Sequence, residues 1–416
     1  MAQSCPTLPI APIRLLKNAY GGLSVHVWLL SLVTFINRSG TMVIPFLTVY
    51  LTVEKHFTFE QAGLIMSTFG VGSLLGSWLG GWLTDRIGFY NVQVWTMAIS
   101  GFLFFGLGQL DSFWAFCVGV FVLSTVGDAF RPANMTAVSV YSKPENLTRS
   151  LSLVRMAINL GWSIGPALGG FFAASVGYKW LFIADGATCI LAAIMLRIFL
   201  SPRKSSHKES AKVESIDVIH RPPYKDPPFM VFILMITLVA ICFMQFLYTL
   251  PVYFKTELGL SEFQIGLLLA LNGLIIGLTE VTLVYVLENR FPKLVLCALG
   301  AFIISLAYLS LNLDPHAAIL SVVCMGLLTI GEMFNFPFAN SFALTRSTSK
   351  TKGQYMSFYT MAFAAASIVS PTMGLYLAEH WGFQLLWYFM GGLALVATFG
   401  ILWVGKLDKA VEEGKS

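Results

Sequence analysis

Apolar runs longer than about 18 residues, the length a helix needs to cross a bilayer, recur along this chain with only short polar breaks between them. They fall near residues 25–52, 60–83, 91–110, 113–137, 150–174 and 179–200, then near 229–254, 262–287, 294–313, 316–340, 354–377 and 383–405. Inside lipid every backbone polar group must be satisfied within the protein, which leaves helices or a closed barrel. A barrel would show alternating segments of about 10 residues, so these continuous runs predict helices. Composition agrees, with 56% of the 416 residues hydrophobic and 11% charged, where a soluble domain carries roughly 25% charged. The first run has no small-residue cleavage site after it and reads as a retained span. The expected fold is an all-α integral membrane protein of about twelve transmembrane helices.

The runs divide into two sets of six. A hydrophilic stretch, 201–228, carries Arg203, Lys204, Lys208, Lys212, Arg221 and Lys225 among several prolines. It predicts a linker between an N-terminal bundle, 1–200, and a C-terminal bundle, 229–416. The halves repeat one another. The stretch 126-VGDAFRPAN-134 returns as 330-IGEMFNFPFAN-340, with Gly331, Glu332 and Phe334 standing where Gly127, Asp128 and Phe130 stood. Pro45 and Tyr50 match Pro251 and Tyr253, Glu60 and Gly63 match Glu262 and Gly266, and Gly165-Pro166 matches Ser370-Pro371. A nearly constant offset implies two pseudo-symmetric six-helix bundles related by an axis along the membrane normal.

Basic residues collect on one side. Arg86, Lys143, Arg149, Arg290, Lys293, Arg346, Lys350, Lys352, the linker set and the terminal Arg14 and Lys17 share it, while the opposite loops hold Lys55, Lys179 and Lys255. The asymmetry predicts that both termini are cytoplasmic. It also accounts for the net charge of +5 without a nucleic-acid partner. The six cysteines, Cys5, Cys117, Cys189, Cys242, Cys297 and Cys324, have no metal-binding or disulfide spacing. No cofactor beyond a proton gradient is expected, no metal and no catalytic set: the sequence lacks a phosphate-binding glycine loop, paired ligand histidines and a Ser/His/Asp arrangement.

Charged and amide side chains inside the spans are costly and mark function by default. Asn37 and Arg38 lie in span 1, Asp128 and Arg131 in span 4, Arg155 and Asn159 in span 5, Gln245 and Tyr248 in span 7, Asn272 and Glu280 in span 8, and Glu332 and Asn335 in span 10. Arg155 and Asn159 are i, i+4 neighbours, and Glu332 and Asn335 are i, i+3, so each pair is expected on one helix face, lining the space between the bundles. The first half holds the buried arginines and the second two buried glutamates, with no histidine deep in a span. Proton coupling therefore falls to Glu332 first, then Asp128 and Glu280. Arg38 is the cation expected to serve substrate or coupling, and Asp185, near Trp180, reads as an interfacial cap. Tyr50, Trp162, Tyr248, Phe334, Phe336 and Tyr359 are aromatic candidates for an amphipathic cavity.

With these features in place, the sequence resembles the major facilitator superfamily along nearly its whole length. The loop 80-GGWLTDRIG-88 is similar to that superfamily's signature loop, with Asp85, Arg86 and Gly88 at matching positions and Phe89 and Tyr90 in place of its usual basic pair. The resemblance implies a cytoplasmic gate there. Span 5, 161-GWSIGPALGG-170, resembles the later part of the motif of the proton-coupled antiporter branch. Gly161, Gly165, Gly169 and Gly170 would allow close helix approach, and Pro166 would bend the helix. Glu332 also matches a glutamate of span 10 found in multidrug/proton antiporters and proton-dependent oligopeptide transporters.

The resulting expectation is a monomeric, proton-coupled transporter of a bacterial inner membrane that moves a small amphipathic organic solute by alternating access, as antiport efflux. The alternatives are proton-driven symport of a zwitterionic or peptide-like solute and, in a different class, a receptor or sensor that does not transport.

Overall fold

The computed structural model describes residues 22–143, 146–202, 223–287, 290–314, 318–346 and 351–413. The N-terminal lead with Arg14 and Lys17, and most of the 201–228 stretch, lie outside these residues. Among the described residues the chain is helical and contains no strand.

In the first half, α1 (Val25–Ser39) and α2 (Val43–Val49), followed by a π-helical turn (Tyr50–Glu54), make one pass. Next come α3 (Phe59–Ile87), α4 (Phe89–Leu107), the pair α5 (Phe113–Asp128) and α6 (Phe130–Tyr141), α7 (Leu147–Ser175) and α8 (Lys179–Phe199). The second half contains α9 (Pro227–Tyr248) with α10 (Leu250–Thr256), α11 (Glu262–Leu287), α12 (Lys293–Ser310), α13 (Ile319–Arg346) and α14 (Lys352–Glu413). Nine helical stretches of the described residues are long and apolar enough to span a bilayer. The last is broken at Gly382, whose φ of 80° and ψ of 163° turn the chain back, so α14 makes two passes. With α4 and α7 the expected twelve are complete.

The repeat seen in sequence is also a repeat of local structure. A capping box opens α3, where Thr58 Oγ1 accepts the Gln61 amide and Gln61 Oε1 accepts the Thr58 amide, both at 3.1 Å. Ser261 and Gln264 form the same reciprocal pair at the start of α11, at 2.9 and 3.3 Å. Three passes are interrupted, between α1 and α2, α5 and α6, and α9 and α10. In each the break lies just ahead of a proline: Pro45, Pro132 and Pro251. Proline removes one backbone donor and crowds the preceding turn, so the helix yields there.

Small residues set the helix contacts. A Cβ on Gly76 or Gly80 of α3 would strike the carbonyls of Thr125 and Ala129, whereas one on Gly63 or Gly70 would strike Pro371 and Ser367 of α14. In α7, Gly161, Gly165 and Gly169 lie against Arg38, Thr41 and Met42, while Gly170 and Pro166 lie against Glu262 and Gly266 of α11. The two halves thus meet along α3–α14 and α7–α11, and the span 5 glycines serve both an internal and an inter-half contact.

The break between α1 and α2 explains Asp185. Its carboxylate accepts the Met42 amide at 3.0 and 3.1 Å and the Val43 amide at 2.9 Å, which satisfies donors freed at the start of α2. The side chain is completely buried. It is a cap, but an internal one, not interfacial as its closeness to Trp180 suggested; the need for it arises 143 residues away in sequence.

At the basic end of the second half, Arg346 holds Asp226 through Nε at 2.6 Å and Nη2 at 2.9 Å, and Asp408 through Nη1 at 2.5 Å. Tyr355 donates to Asp226 at 2.9 Å. Asp226 is also the N-cap of α9, so this cluster joins the ends of three helices. Burial pushes the Asp226 carboxyl up, but the bonds and charge of Arg346, with Tyr355 and the Phe229 amide, outweigh it and hold the group below its usual range.

Two measurements check these roles. Asp185→Ala strands buried amides and should lower stability in detergent by about 2 kcal/mol or more. A depressed Asp226 contributes stability at pH above its unfolded value of about 3.9, and loses it as pH falls through the folded value. Thermal melting of Asp226→Asn should therefore show a shallower acid-side decline than the parent.

Candidate functional site

A cavity of about 990 Å³ lies between the halves. Arg155, Asn159 and Trp162 enter it from α7, Phe243 and Phe246 from α9, Asn272 and Glu280 from α11, Glu332 and Phe336 from α13, and Tyr359 from α14. Leu151, Val284 and Leu344 extend it toward the helix ends that carry the basic loops. Its walls are mostly apolar with a few convergent polar groups, which is the usual character of a small-molecule site.

The polar groups form two linked sets. Asn272 Nδ2 donates to Thr329 Oγ1 at 3.0 Å and to Glu332 Oε2 at 3.2 Å, so the carboxylate of α13 is oriented by α11. Glu332 makes no ion pair among the described residues. Arg155 Nη2 pairs with Glu280 Oε1 at 2.5 Å, joining α7 of one half to α11 of the other. The Arg155 side chain remains 64% exposed and Glu280 only 14%. The guanidinium thus faces the open cavity while its partner backs against protein. Since Arg155 and Glu280 neutralise each other, the ionisation of Glu332 sets the net charge of this part of the wall.

A second, much smaller chamber, about 90 Å³, lies within the first half and shares no lining residue with the large cavity. Asn37, Arg38, Ser100, Asp128 and Cys189 face it. Asp128 Oδ1 is held by Arg131 Nε at 2.6 Å, whereas Asp128 Oδ2, Arg38 Nε and Ser100 Oγ are buried without a hydrogen-bond partner among the described residues. The Arg38 guanidinium stands 6.0 Å from the centre of the Phe130 ring. Asn37 Nδ2 reaches Cys189 Sγ at 3.5 Å. The break at Pro132 leaves Asp128 as the last residue of α5, which brings its carboxylate to Arg131.

The description "Major Facilitator Superfamily" belongs to the family whose sequence profile matches residues 27–349. The chain belongs to this family. An uncharacterised MFS-type transporter of Bacillus subtilis, YqjV, is 26% identical over 357 residues, 83% of this chain and 85% of that protein. A Na(+), Li(+), K(+)/H(+) antiporter of Planococcus maritimus is 23% identical over 406 residues, covering 89% and 93%. Among solved structures, a POT family transporter in complex with 5-aminolevulinic acid aligns with a TM-score of 0.74 at 17% identity, over 90% of this chain and 95% of that one. This protein is therefore a membrane transporter of the MFS type and not an enzyme.

Within the MFS fold the residues singled out from sequence separate. Arg155, Asn159, Asn272, Glu280 and Glu332 line the large cavity, while Asn37, Arg38 and Asp128 line the small chamber with Arg131 at its side. Gln245, Tyr248 and Asn335 line neither. Gln245 Nε2 donates to Ser370 O at 3.1 Å and Ser370 Oγ at 2.9 Å, and Asn335 Nδ2 to Cys297 O at 2.7 Å. Amides inside membrane helices also join neighbours, and these two do so. Glu332 and Asn335 accordingly do not share the cavity face, although they are three residues apart. Of the aromatic candidates, Trp162, Phe336 and Tyr359 line the cavity; Tyr50 and Tyr248 are core residues, and Phe334 lies in a separate pocket against Leu278 and Leu283 of α11. Phe243 and Phe246 were missed. Their i, i+3 spacing on α9 was the available signal, hidden in a helix apolar all round.

At the signature loop, Gly88 adopts φ 84°, a conformation that favours glycine, and Arg86 stacks 4.0 Å over Trp82. Asp85 is exposed and makes no hydrogen bond or ion pair among the described residues.

Thiol labelling checks these placements. In a cysteine-free background, Ser341→Cys should react quickly with a membrane-impermeant reagent applied from the basic face, and Asn335→Cys should be protected. Equal rates at both positions would reject the placement.

Proposed function

We propose that this MFS transporter exchanges protons for a small amphipathic organic solute, with Glu332 as the coupling group. The observation that carries this reading is the position of Glu332: in the wall of the large cavity, oriented by Asn272, and without a basic partner. When it is ionised the wall carries one uncompensated negative charge and favours a cationic or strongly polarised solute. When it is protonated that attraction disappears. Proton and solute then compete for one group, which is the requirement for antiport, and each stabilises a different orientation of the two halves.

The supporting context is consistent. The Planococcus relative is named as a cation/proton antiporter, and a Proteus mirabilis relative, 28% identical over 39% of this chain, as a multidrug resistance protein. By the positive-inside rule the basic face is cytoplasmic, so the large cavity faces the cell interior and solute enters it there. The moving bodies are residues 1–200 and 229–416, rocking about the α3–α14 and α7–α11 contacts in a bacterial inner membrane, each protein acting as a monomer. Asp128 and Glu280 have secondary roles: Asp128 as a charge of the inner chamber, Glu280 as the inter-half partner of Arg155.

One observation favours a second reading. The exposed Arg155 guanidinium and the Glu332 carboxylate face the same cavity, and together they suit a zwitterion taken up with a proton.

Proteoliposomes with a trapped pH dye and no initial gradient separate the two. Addition of a lipophilic cation outside should alkalinise the interior, whereas acidification on adding short peptides would select symport. In either case Glu332→Gln should reduce solute-driven proton flux to background while solute–solute exchange persists. Proton flux unchanged in that variant would overturn the role of Glu332.

A further inference from the structure

The small chamber inside the first half holds a cation that the fold leaves unanswered. Among the described residues the Arg38 side chain makes no hydrogen bond and no ion pair, and its Nε is shielded from solvent. Its guanidinium lies 6.0 Å from the centre of the Phe130 ring, which is itself part of the chamber wall, so the charged end of the side chain is at the chamber. The base of the side chain is held in place from α7, where a Cβ on Gly161 would come within 2.5 Å of Arg38 Cβ.

The neighbouring charges do not compensate it. Asp128 lines the same chamber, but its Oδ1 is taken by Arg131 at 2.6 Å, so one carboxylate stands against two guanidinium groups. Asp185, one turn before Cys189 on α8, spends its carboxylate on the Met42 and Val43 amides and does not line the chamber. The other polar wall groups offer donors and no charge. Ser100 is 5% exposed with its hydroxyl unpartnered among the described residues, and the Asn37 amide nitrogen has the Cys189 sulfur, a weak acceptor. A guanidinium does not shed its proton in a protein. Held away from solvent without a counter-charge it is strongly unfavourable, and water in the chamber would accept its N–H groups without cancelling that charge.

We infer that this chamber is a binding site for a small monovalent anion such as chloride, with Arg38 as the counter-charge and the Ser100 hydroxyl and Asn37 amide as neutral donors. At about 90 Å³ it admits an ion close to a water molecule in size, with a water beside it to serve Asp128 Oδ2, and it excludes organic anions. It shares no lining residue with the large cavity, and the assignment depends neither on Glu332 nor on proton exchange.

Thermal melting of the purified full-length protein tests the site, with sodium gluconate replaced stepwise by sodium chloride at constant ionic strength. A ligand of the folded state raises the melting temperature as its concentration rises through its dissociation constant. Chloride should do so, and Arg38→Gln should raise the chloride concentration required by about tenfold or more. Asp128→Asn removes a repelling charge and should lower it by about threefold or more, a gain that a poorly folded variant cannot produce. Arg155→Gln, which alters the cation in the wall of the large cavity, should leave the chloride response in place. Four results would each overturn the inference: no response in the parent protein, a response that survives Arg38→Gln, one lost in Arg155→Gln, or weaker chloride binding in Asp128→Asn. The second would mean an adventitious ion only, and the third would move the anion to the large cavity. Solute-driven proton flux is read in a separate assay, so failure of the transport reading would leave these outcomes unchanged.

Discussion

Every backbone amide in the bilayer must find its partner within the protein, and the breaks in this fold are built around that requirement. Where α1 gives way to α2, the freed amides of Met42 and Val43 are taken by Asp185, fully buried on α8. Without such an acceptor the interruption ahead of Pro45 would leave two buried amides unpaired, at a cost of about 2 kcal/mol or more. The matching interruption in the second half, ahead of Pro251, is served within its own span. There the Thr249 amide donates to the Gln245 carbonyl, and Thr249 Oγ1 lies against Gln245 Oε1. The first break thus draws on a distant carboxylate, while at the second the Thr249 amide keeps an ordinary helical bond, which is how a repeated fold diverges in sequence.

The charges of the interior are separated by this scaffold into compartments of different character. Arg155, Glu280 and Glu332 share a cavity large enough for an organic molecule, whereas Arg38 and Asp128 share a chamber fit for a few waters. The buried atoms left without partners in that chamber match the polar lining that buried water requires.

Much of the architecture is legible in the residues themselves. Span length and the duplicated Gly-Asp/Glu-x-Phe stretch disclose twelve helices in two similar bundles, because burial of apolar length is a property of each segment alone. The site was legible only in part. Glu332, Glu280, Arg155, Asn159 and Asn272 stand out as polar groups at bilayer depth, and all five line the large cavity. Gln245 and Asn335 stand out equally, yet they bond Ser370 and Cys297 on neighbouring helices. Polarity at depth discloses that a partner is needed; it does not disclose whether that partner is a helix or a ligand. Phe243 and Phe246 failed for the converse reason, since nothing marks one phenylalanine on an all-apolar helix as facing empty space.

The glycines of α3 have a mechanical consequence. Gly63 and Gly70, toward the outer end, press against α14 of the other half, while Gly76 and Gly80, toward the basic end, press against the carbonyls of Thr125 and Ala129 in their own half. One helix is thus fastened to a foreign body at one end and to its native body at the other. In the rocking proposed for the two halves such a helix would serve as the pivot: a small tilt at the Gly63–Pro371 contact would be magnified along the remaining helix, so that the gap at the basic end would widen by leverage without any helix having to bend.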